Sequence, residues 1–221
     1  MNGLVEAYGI IIKVMPIGEY DKRITLLTKE YGKISAFARG ARRQGSPFMG
    51  ITRVFATGRF RLYEGRDSYT LNSAVIDNYF EEITEDVERT CYGSYFLELA
   101  DYYARDYLSD PEMISLLYLT LTALCRPALP DPLVRRVYEL RLMAIGGVYD
   151  AEPRLPVSET CRYAWNYILT TPLEKLYTFV LSDEVFRELA GAVDEMMERY
   201  IDRPMHSLEI LKVMTEGIEG T

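Results

Sequence analysis

The chain has 221 residues, 48% of them hydrophobic, which is enough to bury a core and excludes a disordered polymer. No apolar run reaches the roughly 20 residues that a membrane span needs, because Thr120 and Thr122 break the segment Leu116–Cys125; with Glu6 and Lys13 interrupting the apolar N-terminal stretch, a cytoplasmic location is expected. The net charge of -8 argues against a polyanion partner for the whole chain, yet residues 1–80 carry 12 Lys and Arg against 7 Asp and Glu, while residues 81–221 carry 13 against 26.

Tyr8, Ile10, Ile12 and Val14 alternate at period two and predict a first strand over Val5–Val14 with one face buried. A turn with Pro16 and Gly18 follows, then strands over Arg23–Thr28 and Ile34–Ala38, separated by Tyr31-Gly32-Lys33. Gly40–Gly50, with three glycines and Pro47, is a loop. Arg53–Tyr63 and Ser68–Val75 are two further strands around the Gly-containing connection at residues 64–67. Five short strands in under eighty residues predict a small closed barrel, and five is the strand count of an OB-fold.

Beyond residue 80 the period becomes helical. Val87, Cys91, Tyr95, Leu99 and Tyr102 mark one helix, and Met113, Leu116, Leu117, Leu121 and Leu124 the next. Pro127, Pro130 and Pro132 precede a third, Leu133–Ile145, closed by Gly146-Gly147. Further helices are expected over Ser158–Leu169, from an N-cap at Ser182 to Tyr200, and over Ser207–Met214. The expected fold is therefore α+β, a barrel over 1–80 followed by an all-helical domain over 81–221.

Catalytic and metal-binding patterns are not found. His206 is the single histidine, Cys91, Cys125 and Cys161 stand far apart without a CxxC pair, and Gly45 is followed by Ser46-Pro47 where a phosphate loop needs Lys and then Ser or Thr. The carboxylates Glu81, Glu82, Glu85, Asp86 and Glu88 suit a helix start better than a metal cage. No catalytic residue, metal or cofactor is expected.

What stands out is basic and aromatic. Lys22, Arg23, Lys33, Arg39, Arg42 and Arg43 fall in the first barrel segments and the loop, followed by Arg53, Arg59, Arg61 and Arg66, with Phe37, Phe48, Phe55, Phe60 and Tyr63 between them. Cations to neutralise phosphates and rings to stack on bases are what a single-stranded polyanion requires. Alternation puts Phe60 and Leu62 on one face and Arg59, Arg61 and Tyr63 on the other, so those three are expected outside the barrel, with Tyr63 as a stacking residue.

The order of residues from Ile11 to Arg43 resembles the opening of RecO-family proteins: Gly18-Glu19, Asp21, Arg23, Leu27-Thr28, Gly32-Lys33, and Ala38-Arg39-Gly40-Ala41-Arg42. Tyr63-Glu64-Gly65-Arg66, the helix from Arg135 to Gly146 and Ser207-Leu208 extend the likeness over nearly the whole chain. The resemblance implies a non-enzymatic recombination mediator in DNA repair. Such a protein binds single- and double-stranded DNA, anneals strands coated with single-stranded-DNA-binding protein, and works with RecR to load RecA. Many members carry a four-cysteine zinc finger after the helix that here ends at Gly146. This sequence runs from Val148-Tyr149-Asp150 almost directly to Val157-Ser158, so the finger is expected to be absent, and Cys161 is not a surviving ligand.

The acidic second part suits protein contacts. Arg135, Arg136 and Arg141 flank an apolar stripe of Leu133, Val137 and Leu140, which could receive an acidic-hydrophobic peptide such as the tail of single-stranded-DNA-binding protein; the alternative is an ordinary solvated face over a core stripe. The rival reading of the whole chain is an adaptor whose barrel binds protein and not nucleic acid.

Overall fold

A computed structural model describes residues 3–216. Five strands form a closed barrel: β1 (Leu4–Ile17), β2 (Asp21–Thr28), β3 (Gly32–Ala38), β4 (Thr57–Glu64) and β5 (Tyr69–Asn78), in the order β1-β2-β3-β5-β4 with β4 returning to β1. This is the OB-fold arrangement expected from the strand count. All pairings are antiparallel except the short parallel one between β3 and β5. The interior holds Ala7, Ile11, Ile24, Leu26, Ile34, Ala36, Phe60, Leu62 and Leu71.

The inward phase of β1 differs from the expected one. Ala7 and Ile11 point into the barrel, whereas Tyr8 is only half-buried and Ile10 and Ile12, though buried, lie outside the interior cluster. The cause is a bulge between Ile11 and Lys13, which inserts one residue and shifts the alternation by one, so that Val14 returns to the interior side. Strand β4 also begins four residues later than expected. Phe48–Ile51 form a short helix, α1, inside the predicted loop, and Phe55, with φ 70°, breaks the extended run ahead of Thr57.

The helices are α2 (Glu81–Thr84), α3 (Val87–Tyr103), α4 (Pro111–Leu124), α5 (Asp131–Ile145), α6 (Glu159–Thr170), α7 (Asp183–Tyr200) and α8 (His206–Glu216), with a 3-10 turn at Leu173–Lys175. Ser158 and Ser182 cap α6 and α7, their hydroxyls accepting from the amides of Cys161 and Val185. Among the described residues, no helix is long and apolar enough to cross a membrane.

The chain divides into two compact units. Among the described residues, one contains the segment up to Glu81 together with Ala100–Ile114; the other contains Glu82–Leu99 and the segment from Ser115 onward. The segment 100–114 belongs with the barrel for a visible reason. The amide of Lys33 donates to the carbonyl of Arg105 (3.4 Å), that of Tyr107 donates to the carbonyl of Lys33 (3.1 Å), and Lys33 and Asp106 form a parallel bridge. This strap lies along the part of β3 that β5, paired only at Ala36 and Phe37, leaves unpaired. Gly32 lets it approach, since φ is +64° there and an added Cβ would overlap the backbone of Leu108. Gly32→Ala is therefore expected to cost about 2 kcal/mol or more, read as a lower urea midpoint with an unchanged slope; an unaltered midpoint would show that the strap does not hold the barrel.

Candidate nucleic-acid interface

The turn between β1 and β2 and the loop after β3 are tied together. The amide of Arg42 donates to the carbonyl of Tyr20 (2.8 Å), its guanidinium to the carbonyl of Gly18 (3.1 Å), and the amide of Gly40 to a carboxylate oxygen of Asp21 (2.7 Å). Lys22 reaches across to the carbonyl (2.9 Å) and hydroxyl (3.1 Å) of Thr52. Arg43 sits 4.9 Å from the ring centre of Tyr20, which is itself exposed. Burial, with the nearby charge of Arg42, lowers the pKa of Lys22 below its ordinary value. Cations held this close repel one another, and an anion relieves that repulsion. Arg39 leaves the end of β3 exposed and forms no ion pair among the described residues.

Arg23 lies on the outer face of β2, between Met15 of β1 and Phe37 of β3 in register, and its Nε donates to the Ser35 hydroxyl (2.6 Å). The outer side of strands 2 and 3 is where OB-folds take oligonucleotides. The bulge in β1 brings Lys13 to this same side, opposite Thr25. Sequence reasoning overlooked Lys13, and three consecutive isoleucines before it were the only sign that the alternation fails there.

Arg59, Arg61 and Tyr63 are exposed on β4, as alternation predicted. They form a separate group, because β1 stands between β4 and β2, and β5 between β4 and β3. Glu6, opposite Arg61 on β1, pairs with it at 3.2 Å. Arg59 makes no ion pair among the described residues and borders a shallow groove with Ser73 and Val75.

Two expectations are corrected. Lys33 is not a free surface cation: its side chain is 19% exposed, its amine lies 3.1 Å from Asp101 and 3.8 Å from Asp106, and it donates to the Asp101 carbonyl (2.9 Å). It fastens the strap. The arginines of α5 are not a docking rim either. Leu133, Val137 and Leu140 are core residues, at most 4% exposed, so no apolar stripe is open to a peptide. Arg136 makes a two-pronged pair with Asp194 (2.6 and 2.8 Å) and reaches Glu139 (2.9 Å); Arg135 donates to Glu139 (2.8 Å), as does the Tyr95 hydroxyl (2.6 Å). Arg141 donates to the carbonyls of Ile168 and Leu169 at the end of α6, where a cation satisfies orphan acceptors.

The family described as Recombination protein O N terminal matches residues 1–80, and Recombination protein O C terminal matches residues 84–150. The chain belongs to the RecO family. It is similar to the DNA repair protein RecO of Acetivibrio thermocellus, 26% identical over 93% of this chain and 95% of that protein, and to that of Clostridium perfringens, 28% identical over 96% and 99%. The same-named protein of Halalkalibacterium halodurans is 32% identical over 71% of this chain and 60% of its own length. The alignment with the Clostridium perfringens protein runs over 248 positions, more than the 221 residues here, so that relative has residues without a counterpart in this chain. Residues 148–157, where the resemblance predicts a missing finger, pass between α5 and α6 without a helix or strand.

Glu139, fully buried, is a measurable point in this RecO helical unit. Burial pushes its carboxyl pKa up, but Arg136, Arg135 and the Tyr95 hydroxyl outweigh that and hold it below the ordinary glutamate value. A folded pKa below the unfolded one gives stability that is present above the unfolded value and lost as pH falls through the folded one. Glu139→Gln is therefore expected to cost about 3 kcal/mol near neutrality, and to flatten the loss of stability seen below about pH 4. Urea titrations across pH check this; equal acid slopes for both proteins would contradict it.

Proposed function

We propose that this chain is a non-enzymatic DNA repair and recombination mediator that binds single- and double-stranded DNA through its barrel and anneals complementary strands. The observation that carries the reading is the crowding of Lys22, Arg39, Arg42 and Arg43 around the β1–β2 turn, beside exposed Tyr20, in the part of the chain with excess positive charge. Phosphates are the natural counter-charge, and backbone contacts of this kind leave base edges free to pair with a second strand. Annealing on such a surface needs no bond to be broken. Arg23 adds a further DNA-facing donor on the β2–β3 face, while Arg59, Arg61 and Tyr63 offer contact on another side of the barrel.

The names of its relatives support a place in DNA repair. The family resemblance supplies the partners: single-stranded-DNA-binding protein on the substrate strand, RecR as co-worker, and RecA as the recombinase loaded, all in the cytoplasm at the nucleoid. With the α5 arginines held in the helical core, no residues are assigned here to those protein contacts.

If four cations meet phosphates, the log of the affinity for a single strand should fall against log salt with a slope of about -3. Changing Arg39, Arg42 and Arg43 together to Ala should reduce that slope by about 2, weaken binding to all sequences alike, and slow annealing. Fluorescence anisotropy with labelled oligonucleotides at several salt concentrations is the measurement. A slope near zero for the unaltered protein would instead favour a protein-binding adaptor.

A further inference from the structure

On the outer side of β1, β2 and β3 lies an open groove of about 410 Å³. Its charges cancel: Lys13, Arg23 and Lys33 face Asp67, Asp101 and Asp106. A phosphate gains little in such a neutral groove when the turn cluster beside it carries four cations, Lys22, Arg39, Arg42 and Arg43, against the two carboxylates Glu19 and Asp21. A nucleobase suits it better, being uncharged, flat, and furnished with both donors and acceptors at its edge.

The groove also contains an aromatic ring supplied from outside the barrel strands. Tyr107, on the strap, is 57% exposed and sits at φ 59°, in the left-handed region that large side chains avoid. It is held in that conformation from both ends: its amide donates to the Lys33 carbonyl (3.1 Å), and its hydroxyl donates to the Asp67 carbonyl (3.1 Å). The ring is thus fixed in the groove wall while remaining accessible, and a ring already held in place loses little freedom when a base stacks on it. Strain kept at an exposed aromatic points to use.

We infer that this groove takes one unpaired base of a bound strand, stacked on Tyr107, while the neighbouring phosphates rest on Lys22, Arg39, Arg42 and Arg43. The inference rests on the DNA-binding reading and adds to it a means of preferring single strands, since a paired base is not free to leave its stack. It also extends the nucleic-acid surface beyond residues 1–80.

The test uses Tyr107→Gly, which removes the ring yet accepts the positive φ without strain, and Tyr107→Phe, which keeps the ring and loses only the hydroxyl bond. Affinities are measured on three equal-length ligands: a deoxycytidine oligomer, the same oligomer with abasic sugars, and a duplex. Tyr107→Gly should weaken the deoxycytidine oligomer about tenfold and leave the other two unchanged, and Tyr107→Phe, whose ring has lost its hydroxyl tether, should lose clearly less than Tyr107→Gly on the deoxycytidine oligomer and nothing on the other two. Equal losses on all three ligands, or no loss on any, overturn the groove. If the Arg39, Arg42 and Arg43 variant loses binding to all three while Tyr107→Gly loses none, the groove falls and the DNA-binding reading stands. Absence of salt-sensitive binding by the unaltered protein removes both.

Discussion

Closure of the barrel depends on a single strand having two neighbours in different directions. β1 pairs with β4 over its first half and with β2 over its second, and so joins the two on one side of the ring while β3 and β5 join them on the other. A straight strand of 14 residues cannot follow both partners around so small a circumference, and the extra residue at the bulge lets it turn. The same kink decides what the outer surface offers. Without the shift in alternation, Lys13 would not stand beside Thr25 on the side of Arg23, and the cations of β1 and β2 would be divided between interior and exterior.

The remaining opening, along the first half of β3, is closed by the strap that follows α3. Asp101, in the last turn of α3, and Asp106, on the strap, neutralise Lys33 while backbone bonds on either side satisfy the strand edge. The Gly32-Lys33 pair quoted in the family resemblance thus has a structural explanation, Gly32 for the close approach and Lys33 for the fastening. Cation and glycine together receive a piece of the chain itself.

The elements with strong periodicity were legible from residues alone. The outward set Arg59, Arg61 and Tyr63 followed from alternation on β4, and Ser158 and Ser182 announced the starts of α6 and α7. What escaped was non-local. A bulge has no residue signature beyond a run of apolar neighbours, so the phase of β1 was set one residue wrong at its start. The strap is an irregular segment between two helices, and its pairing with β3 links positions about seventy apart, which no local pattern encodes. The α5 arginines were read as surface because charged side chains usually are. Glu139, three and four residues on, was within view, but Asp194 lies 58 residues away and Tyr95 44 residues before Glu139.

Arginines in two surroundings of very different polarity therefore coexist in one polypeptide. The arginines around the β1–β2 turn sit in water, where dissolved ions compete for them at every moment. The Arg135, Arg136 and Glu139 cluster is shut away among aromatic and aliphatic side chains, where those ions scarcely enter. On the DNA-binding reading proposed above, a rise in potassium would loosen the grip of the turn arginines while leaving the buried cluster intact, so that release of a strand and integrity of the fold would answer to separate controls.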